Sequence, residues 1–164
     1  MVLQGFDLTQ TAILPSDARY LSKRKSFVQD NQSYSLKGVI RGLHFQNPPF
    51  AQGKLVRVIK GAVLDVAVDI RSSSPTYGQH VAVELTEENK NMFWIPPGFA
   101  HGFSTLQNDT IFSYKCSGAY DKKSEGSLMW NDPNLNIDWK VKHPIVSEKD
   151  QNSDDFKTFK TLFL

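Results

Sequence analysis

The chain has 164 residues, of which 40% are hydrophobic and 22% are charged, and its formal net charge is only +2. A chain of this length can bury a substantial core, so we expect one domain over 1–164. The small net charge excludes binding to nucleic acid through bulk electrostatics, and the lack of any apolar run near about 20 residues excludes a membrane partner.

Two further features concern the cellular compartment. Residues 1–20 lack the apolar core and small-residue cleavage site of a signal peptide. The single cysteine, Cys116, has no partner for an internal disulfide, which suits a reducing environment. We therefore expect a soluble, cytoplasmic protein.

Most of the chain consists of short apolar segments separated by turns. Residues 1–26 are weakly patterned and predict an irregular N-terminal arm. The segments that follow are rich in branched and aromatic residues, which favour β-strands. They comprise 27–31, 38–46, 53–59, 63–70, 80–85, 92–95, 100–106 and 111–116. The turn at Gly61 predicts that 53–59 and 63–70 pair as a hairpin.

The last part of the chain has a different pattern. Residues 128–146 predict loops and short extended pieces. Beyond them, Phe156, Phe159 and Phe163 recur with helix-like spacing, and Leu162 lies beside the last of them. This spacing predicts a helix over 149–164 that packs an apolar stripe against the body or a partner.

Many short strands with turns at intervals of about ten residues are typical of an all-β sandwich or barrel. A cupin-type jelly roll, or double-stranded β-helix, fits this pattern and offers an interior that can hold a small ligand. We expect an N-terminal arm (1–26), a jelly-roll body (27–146) and a short helical C-terminal tail (147–164).

The segment 38–46 carries two polar side chains in an otherwise apolar strand. Gly42 predicts a bulge that turns Arg41 and His44 toward the same space. A guanidinium group can bind an oxyanion or phosphate, and a neutral imidazole can accept a proton. Taken alone, a buried histidine is more often a hydrogen-bonded core residue than a catalytic base.

Two chemistries suit a barrel interior that contains His44, Lys54, His101 and Tyr114. The first is a metal site, but metal cupins usually place a second histidine two residues after the first, and here that position holds Gln46. The second is metal-free acid–base chemistry, with a histidine base, a tyrosine acid and cations that stabilise an enolate. The spacing favours the second, so we expect no metal.

Seven blocks of sequence, spread over 27–150, resemble the dTDP-4-dehydrorhamnose 3,5-epimerase family. They are Phe-Val-Gln-Asp-Asn (27–31), Arg-Gly-Leu-His-Phe-Gln (41–46), Gln-Gly-Lys-Leu-Val-Arg-Val (52–58), Asp-Val-Ala-Val-Asp-Ile-Arg (65–71), Ser-Ser-Pro-Thr (73–76), Trp-Ile-Pro-Pro-Gly-Phe-Ala-His-Gly-Phe (94–103) and Leu-Met-Trp-Asn-Asp-Pro (128–133). Several blocks in the right order are more specific than one short motif. The resemblance implies a cupin enzyme that epimerises a nucleoside-diphosphate 4-keto-6-deoxy sugar.

The resemblance also implies roles for individual residues. The implied catalytic residues are His44 as base, Asp150 as its orienting partner, Tyr114 as acid and Lys54 as a cation for the enolate or the diphosphate. The implied substrate-binding residues are Arg41, Gln29, Asn31, Gln46, His101 and Arg19. The resemblance further implies a homodimer that uses no metal or organic cofactor.

One departure from the family pattern leaves alternatives open. Where the family carries an Asp-x-Arg-Gly-x-Phe segment, this chain has Asp-Ala-Arg-Tyr at 17–20, without the glycine. Either Arg19 or Arg24 is expected to replace the family's arginine. The alternatives are an epimerase that inverts one centre, a 3,4-ketoisomerase acting on a different nucleotide sugar, and a non-catalytic cupin that binds sugar nucleotides.

Overall fold

A computed structural model describes residues 12–14 and 26–164 of the protein. Its strands are β1 (Ala12–Leu14), β2 (Gln29–Ser35), β3 (Val39–Gln46), β4 (Lys54–Lys60), β5 (Ala62–Asp69), β6 (His80–Thr86), β7 (Met92–Ile95), β8 (Phe99–Thr105), β9 (Thr110–Cys116), β10 (Glu125–Ser127) and β11 (Ile145–Val146). One helical turn, α1 (Glu148–Gln151), follows them. None of the helices in this described part is long and apolar enough to cross a membrane.

The strands form two sheets. The first has the order β1-β7-β4-β9-β2, and the second has the order β10-β3-β8-β5-β6, with β11 added in parallel to β3. Apolar residues of both sheets meet in one cluster between them, to which β4 contributes Val56, β9 contributes Phe112 and β5 contributes Val63. The predicted all-β, cupin-type jelly roll is confirmed.

Strand β5 is buried along its whole length because both of its faces are covered. Val63 and Ala67 point into the cluster between the sheets, whereas Leu64, Val66 and Val68 belong to a second cluster on the outer face. Each buried valine or leucine side chain contributes about 1.5–3 kcal/mol relative to exposure. This double burial explains why β5 is apolar at nearly every position, in contrast to the alternating pattern of a strand with one wet face.

The predicted hairpin of 53–59 and 63–70 is wrong. Strand β4 pairs with β7 and β9 in the first sheet, whereas β5 pairs with β6 and β8 in the second. Gly61 has a φ of +80°, and a Cβ atom there would lie 2.5 Å from Oγ1 of Thr110. The glycine therefore carries the chain from one sheet to the other instead of reversing it within one sheet.

The predicted helix over 149–164 is also wrong in extent, because within these residues the helix of α1 ends at Gln151. Asp154 forms a parallel bridge with Leu128, and its neighbours adopt turns instead of further helix. The packing prediction is confirmed for the three phenylalanines, which cover the outer face of the second sheet. Leu162 is 61% exposed and does not share that contact.

The predicted irregular arm is only partly tested. Ala12–Leu14 forms the edge strand β1 and pairs antiparallel with β7, so this piece of the arm is regular. Arg19 and Arg24, the alternative replacements for the family's arginine, lie outside the described residues.

Candidate active site

The bulge predicted at Gly42 is present in β3. Gly42 has a φ of +129°, and the register between β3 and β8 shifts between Arg41 and His44. A Cβ atom at Gly42 would lie 2.5 Å from the Cα atom of Gly102, so only glycine allows the two strands to approach this closely. The irregularity lets Arg41 and His44 line the same cavity.

This cavity lies between the two sheets and has a volume of about 430 Å³. Six of the predicted site residues line it: Asn31, Arg41, His44, Lys54, His101 and Tyr114. A smaller cavity of about 120 Å³ shares part of this lining and adds the predicted residues Gln29 and Gln46. Asp150 contacts His44, so the described residues include all predicted site residues except Arg19.

Asp150 supports His44 from outside the cavity. Its Oδ1 atom lies 2.6 Å from Nε2 of His44, and its Oδ2 atom accepts a hydrogen bond of 3.3 Å from the Gly42 N–H. Ser147, the N-cap of α1, accepts a hydrogen bond from the Asp150 N–H. Burial opposes ionisation of Asp150, but the bonds from His44 and Gly42 outweigh it and lower the pKa of the carboxyl group.

Tyr114 projects from β9 of the first sheet, whereas His44 belongs to β3 of the second, so the two side chains line the cavity from opposite sheets. Burial raises the pKa of the Tyr114 hydroxyl, and the nearby Cys116 acts in the same direction. Tyr114 is therefore protonated near neutral pH and is able to donate a proton.

Lys54 supplies a cation to both cavities. Its Nζ atom lies 3.4 Å from the backbone oxygen of His44, to which it donates a hydrogen bond. Burial lowers the pKa of Lys54, while Cys116 and Asp65 oppose the shift. On the wall of the cavity, this ammonium group is well suited to stabilise a developing oxyanion.

His101 is held by a carboxylate that the sequence reasoning missed. Its Nε2 atom lies 3.1 Å from each carboxylate oxygen of Asp65, and its ring stacks on Phe112. Burial lowers the pKa of His101 and raises that of Asp65, because it disfavours the charged form of each. The sequence signal was an aspartate inside the otherwise apolar run of β5.

Metal binding is not favoured by the arrangement of side chains. Within 12–14 and 26–164, no group of three or more His, Cys, Asp or Glu side chains is arranged to hold a metal ion. The potential ligands His44 and His101 are each paired with a separate carboxylate. The residues that line the cavity instead bring together two histidines, a tyrosine, a lysine and an arginine.

The profile of the dTDP-4-dehydrorhamnose 3,5-epimerase family matches residues 16–158. The chain belongs to this family. The dTDP-4-dehydrorhamnose 3,5-epimerase of Shigella flexneri is 52% identical over 136 residues, which cover 83% of this chain and 75% of the relative. The resemblance inferred from the sequence blocks is thereby confirmed.

Solved structures of the 3,5-epimerase family share the fold. The enzyme from Elizabethkingia anophelis NUHP1 superposes with a TM-score of 0.87 at 43% identity, covering 96% of this chain and 97% of the other. The enzyme from Legionella pneumophila, solved in complex with dTDP-4-keto-L-rhamnose, superposes with a TM-score of 0.81 at 50% identity, covering 85% and 74%.

The structure of this 3,5-epimerase family member adds polar groups that the sequence reasoning missed at the smaller cavity. Tyr120 and Glu125 line it, and the Tyr120 hydroxyl donates to Glu125 over 3.2 Å. Lys149 donates to the other oxygen of Glu125, which joins the tail to β10. Gln46 is buried there, and its side-chain oxygen accepts a hydrogen bond from the Asp121 N–H. Gln46 therefore fixes a loop as well as lining the site.

Proposed function

We propose that the protein is a dTDP-4-dehydrorhamnose 3,5-epimerase that inverts C3 and C5 of dTDP-4-keto-6-deoxyglucose. The observation that carries this proposal is the pairing of His44 with Asp150 on one wall of a cavity whose opposite wall carries Tyr114. Epimerisation requires proton removal from one face of the sugar and proton return to the other. A base and an acid on opposite walls meet that requirement.

In the proposed reaction, His44 removes a proton from a carbon beside the C4 ketone. The C–H bonding electrons move toward the C4 oxygen and form an enolate, whose negative charge Lys54 stabilises. Tyr114 then returns a proton to the opposite face of the same carbon. Solvent reprotonates Tyr114 and removes the proton from His44, and the cycle repeats at the second carbon.

The remaining roles follow from the lining of the two cavities. Arg41 is a suitable partner for the diphosphate because its guanidinium can make paired hydrogen bonds to phosphate oxygens. Gln29 and Asn31 contribute amide groups to the smaller cavity, whose exposed Tyr120 offers an aromatic face for the thymine base. His101 completes the polar wall near Lys54. Arg19 stays a prediction from the family resemblance.

We also propose that the enzyme is a cytoplasmic homodimer that needs no metal or organic cofactor. The chain itself supplies the base, the acid and the cation that the reaction requires. Dimerisation is supported by the position of β2, which is the edge strand of the first sheet and carries Tyr34, exposed at 59%. Light scattering coupled to size-exclusion chromatography tests the dimer directly.

The test of the proposed function is deuterium incorporation in heavy water, followed by mass spectrometry and proton NMR of freshly generated dTDP-4-keto-6-deoxyglucose. Incorporation at both C3 and C5, together with formation of dTDP-4-keto-L-rhamnose, is the expected result. Incorporation at one carbon indicates a single-centre epimerase, and migration of the carbonyl indicates a ketoisomerase. No exchange with this sugar or its GDP- and CDP-linked counterparts indicates a binding protein.

A further inference from the structure

Two buried serine hydroxyls lack a hydrogen-bond partner among the described residues. They are the Oγ atoms of Ser33 and Ser153. Leaving a buried hydroxyl without a partner is unfavourable, and such exceptions in native proteins call for an explanation. Ser33 lines the large cavity beside the catalytic groups, whereas Ser153 lies in the C-terminal tail and lines neither cavity.

The neighbours of Ser33 on the same face of β2 are all paired. Asn31 accepts a hydrogen bond from Gln29 and donates to the Cys116 sulfur at 3.7 Å. Ser35 accepts a hydrogen bond of 3.2 Å from Nη2 of Arg41. Ser33 lies between these two residues, and its buried hydroxyl has no such contact.

The strand register locates Ser33 relative to the proposed acid. In the pairing of β2 with β9, Asn31 lies opposite Tyr114 and Ser33 lies opposite Phe112. Since residues rise by about 3.3 Å along a strand, Ser33 lies about 7 Å beyond Tyr114 along the same wall. This distance is short enough for one hexose ring to contact both residues.

The surroundings of Ser33 suit a neutral sugar better than a diphosphate. Phe103 and Gly102 line the same cavity, and the ring centroids of Phe103 and Phe112 lie 4.3 Å apart. An aromatic ring and an unpaired hydroxyl on the lining of one cavity match the C–H and O–H groups of a hexose. A diphosphate instead requires cations, the role proposed above for Arg41, whose Nη2 atom donates to Ser35 and not to Ser33.

We propose that Ser33 contacts the substrate directly and forms a hydrogen bond with an oxygen of the hexose, which selects and positions the sugar between His44 and Tyr114. This inference rests on the proposed function and deepens it by assigning a sugar-specific contact. The unpaired hydroxyl of the free enzyme gains its partner only when the hexose is bound.

The test compares Ser33→Ala with the matched variant Ser153→Ala, because both remove an unpaired buried hydroxyl but only Ser33 lines the cavity. For Ser33→Ala we expect a loss of about fivefold to tenfold in kcat/KM and in affinity for dTDP-L-rhamnose, the range of one hydrogen bond. The affinity for dTDP, measured by isothermal titration calorimetry, is expected to stay within about twofold. Ser153→Ala is expected to change none of these quantities.

Thermal melting separates a substrate contact from a structural role. Because Ser33→Ala removes a group that is unpaired in the free protein, we expect the melting temperature to stay equal or rise. A lower melting temperature, unchanged affinity for dTDP-L-rhamnose, or an equal loss of affinity for dTDP each overturns the inference. If the wild-type protein binds dTDP-L-rhamnose but never exchanges C–H protons, the proposed function fails while the binding comparison still tests Ser33.

Discussion

The Nε2 atom of His44 lies 2.6 Å from Oδ1 of Asp150, although the two residues are 106 positions apart. His44 belongs to the second sheet, whereas Asp150 lies on the single helical turn of the tail. The turn is held by its N-cap, Ser147, and by the Asp150 contact to the Gly42 N–H. A buried carboxylate in this position fixes the orientation of the imidazole ring.

Replacing Asp150 with asparagine keeps the shape of the site but removes the charge behind His44. We expect kcat to fall by about 10²- to 10³-fold, within the range for general acid–base catalysis, with little change in KM. His44→Ala is expected to abolish deuterium exchange at C3 and C5. Steady-state kinetics test the prediction for Asp150→Asn, and the deuterium-exchange assay tests the prediction for His44→Ala. Asp154→Asn is the control because that exposed side chain lines neither cavity; full activity of Asp150→Asn contradicts the assigned role.

Tyr114→Phe separates proton removal from proton return. Since His44 stays in place, the variant is expected to exchange C–H protons with solvent while forming inverted product about 100-fold more slowly. NMR in heavy water measures exchange and inversion in the same sample. Tyr77→Phe serves as the control because Tyr77 packs against Phe156 outside both cavities. Equal loss of exchange and inversion in Tyr114→Phe disproves its role as the acid of the opposite face.

The lowered pKa of Lys54 predicts an alkaline limb in the pH profile. In the proposed reaction Lys54 stabilises the enolate only while it is protonated, so we expect activity to be lost as the pH rises through the pKa of Lys54. Burial lowers that pKa, which places the loss below the ordinary lysine value of 10.5. In Lys54→Arg the limb is expected to move to higher pH, because arginine stays charged. If the wild type and Lys54→Arg lose activity at the same alkaline pH, the titrating group is not Lys54.

Many of the strands could be predicted from sequence because their apolar runs are short and bounded by glycine, proline or polar residues. The bulge in β3 followed from Gly42 interrupting such a run. The prediction of a helix in the tail failed because the spacing of Phe156, Phe159 and Phe163 fits a helix as well as it fits the turns that the structure shows. The bridge between Asp154 and Leu128, a contact with a distant segment, decides against it.

The polar interior was harder to predict than the strands. His44 was identified because it interrupts an apolar strand and falls in a family-like block, whereas Tyr114 lies on the predicted strand 111–116 and took its role from the family resemblance. Asp65 and Ser33 were missed because the inward direction of a side chain depends on the register between strands. The assignment of β4 and β5 to different sheets is equally invisible in the sequence, since a glycine turn serves a hairpin and a crossing alike.

Asp69 is the last residue of β5, and its pKa predicts how the stability of the fold depends on pH. Burial alone raises its pKa, but hydrogen bonds from Arg71, Ser74 and Thr76 outweigh this and lower it to about 2. Because the folded pKa lies below the unfolded value of 3.8, the contribution is present above pH 4 and is lost as the pH falls toward 2.

The contribution of Asp69 to the free energy of unfolding amounts to roughly 2 kcal/mol at neutral pH. We therefore expect Asp69→Asn to be destabilised at pH 7 and to show a weaker fall in stability between pH 4 and 2 than the wild type. Urea unfolding at pH values across this range measures the free energy of unfolding of both proteins. Asp138→Asn, which removes a carboxylate paired with Lys140 on the surface, is the control and is expected to change little. If the free energy of unfolding changes with pH in the same way in the wild type and in Asp69→Asn, the fall in stability does not come from Asp69.

The supply of Asp150 by the tail has a consequence during protein synthesis. A ribosome adds residues from the N-terminus onward, so His44 is made 106 residues before its carboxylate partner. The phenylalanines that cover the outer face of the second sheet come later still. A nascent chain that has already formed the strands therefore lacks the carboxylate partner of His44, and the outer face of its second sheet stays uncovered until the tail has been made.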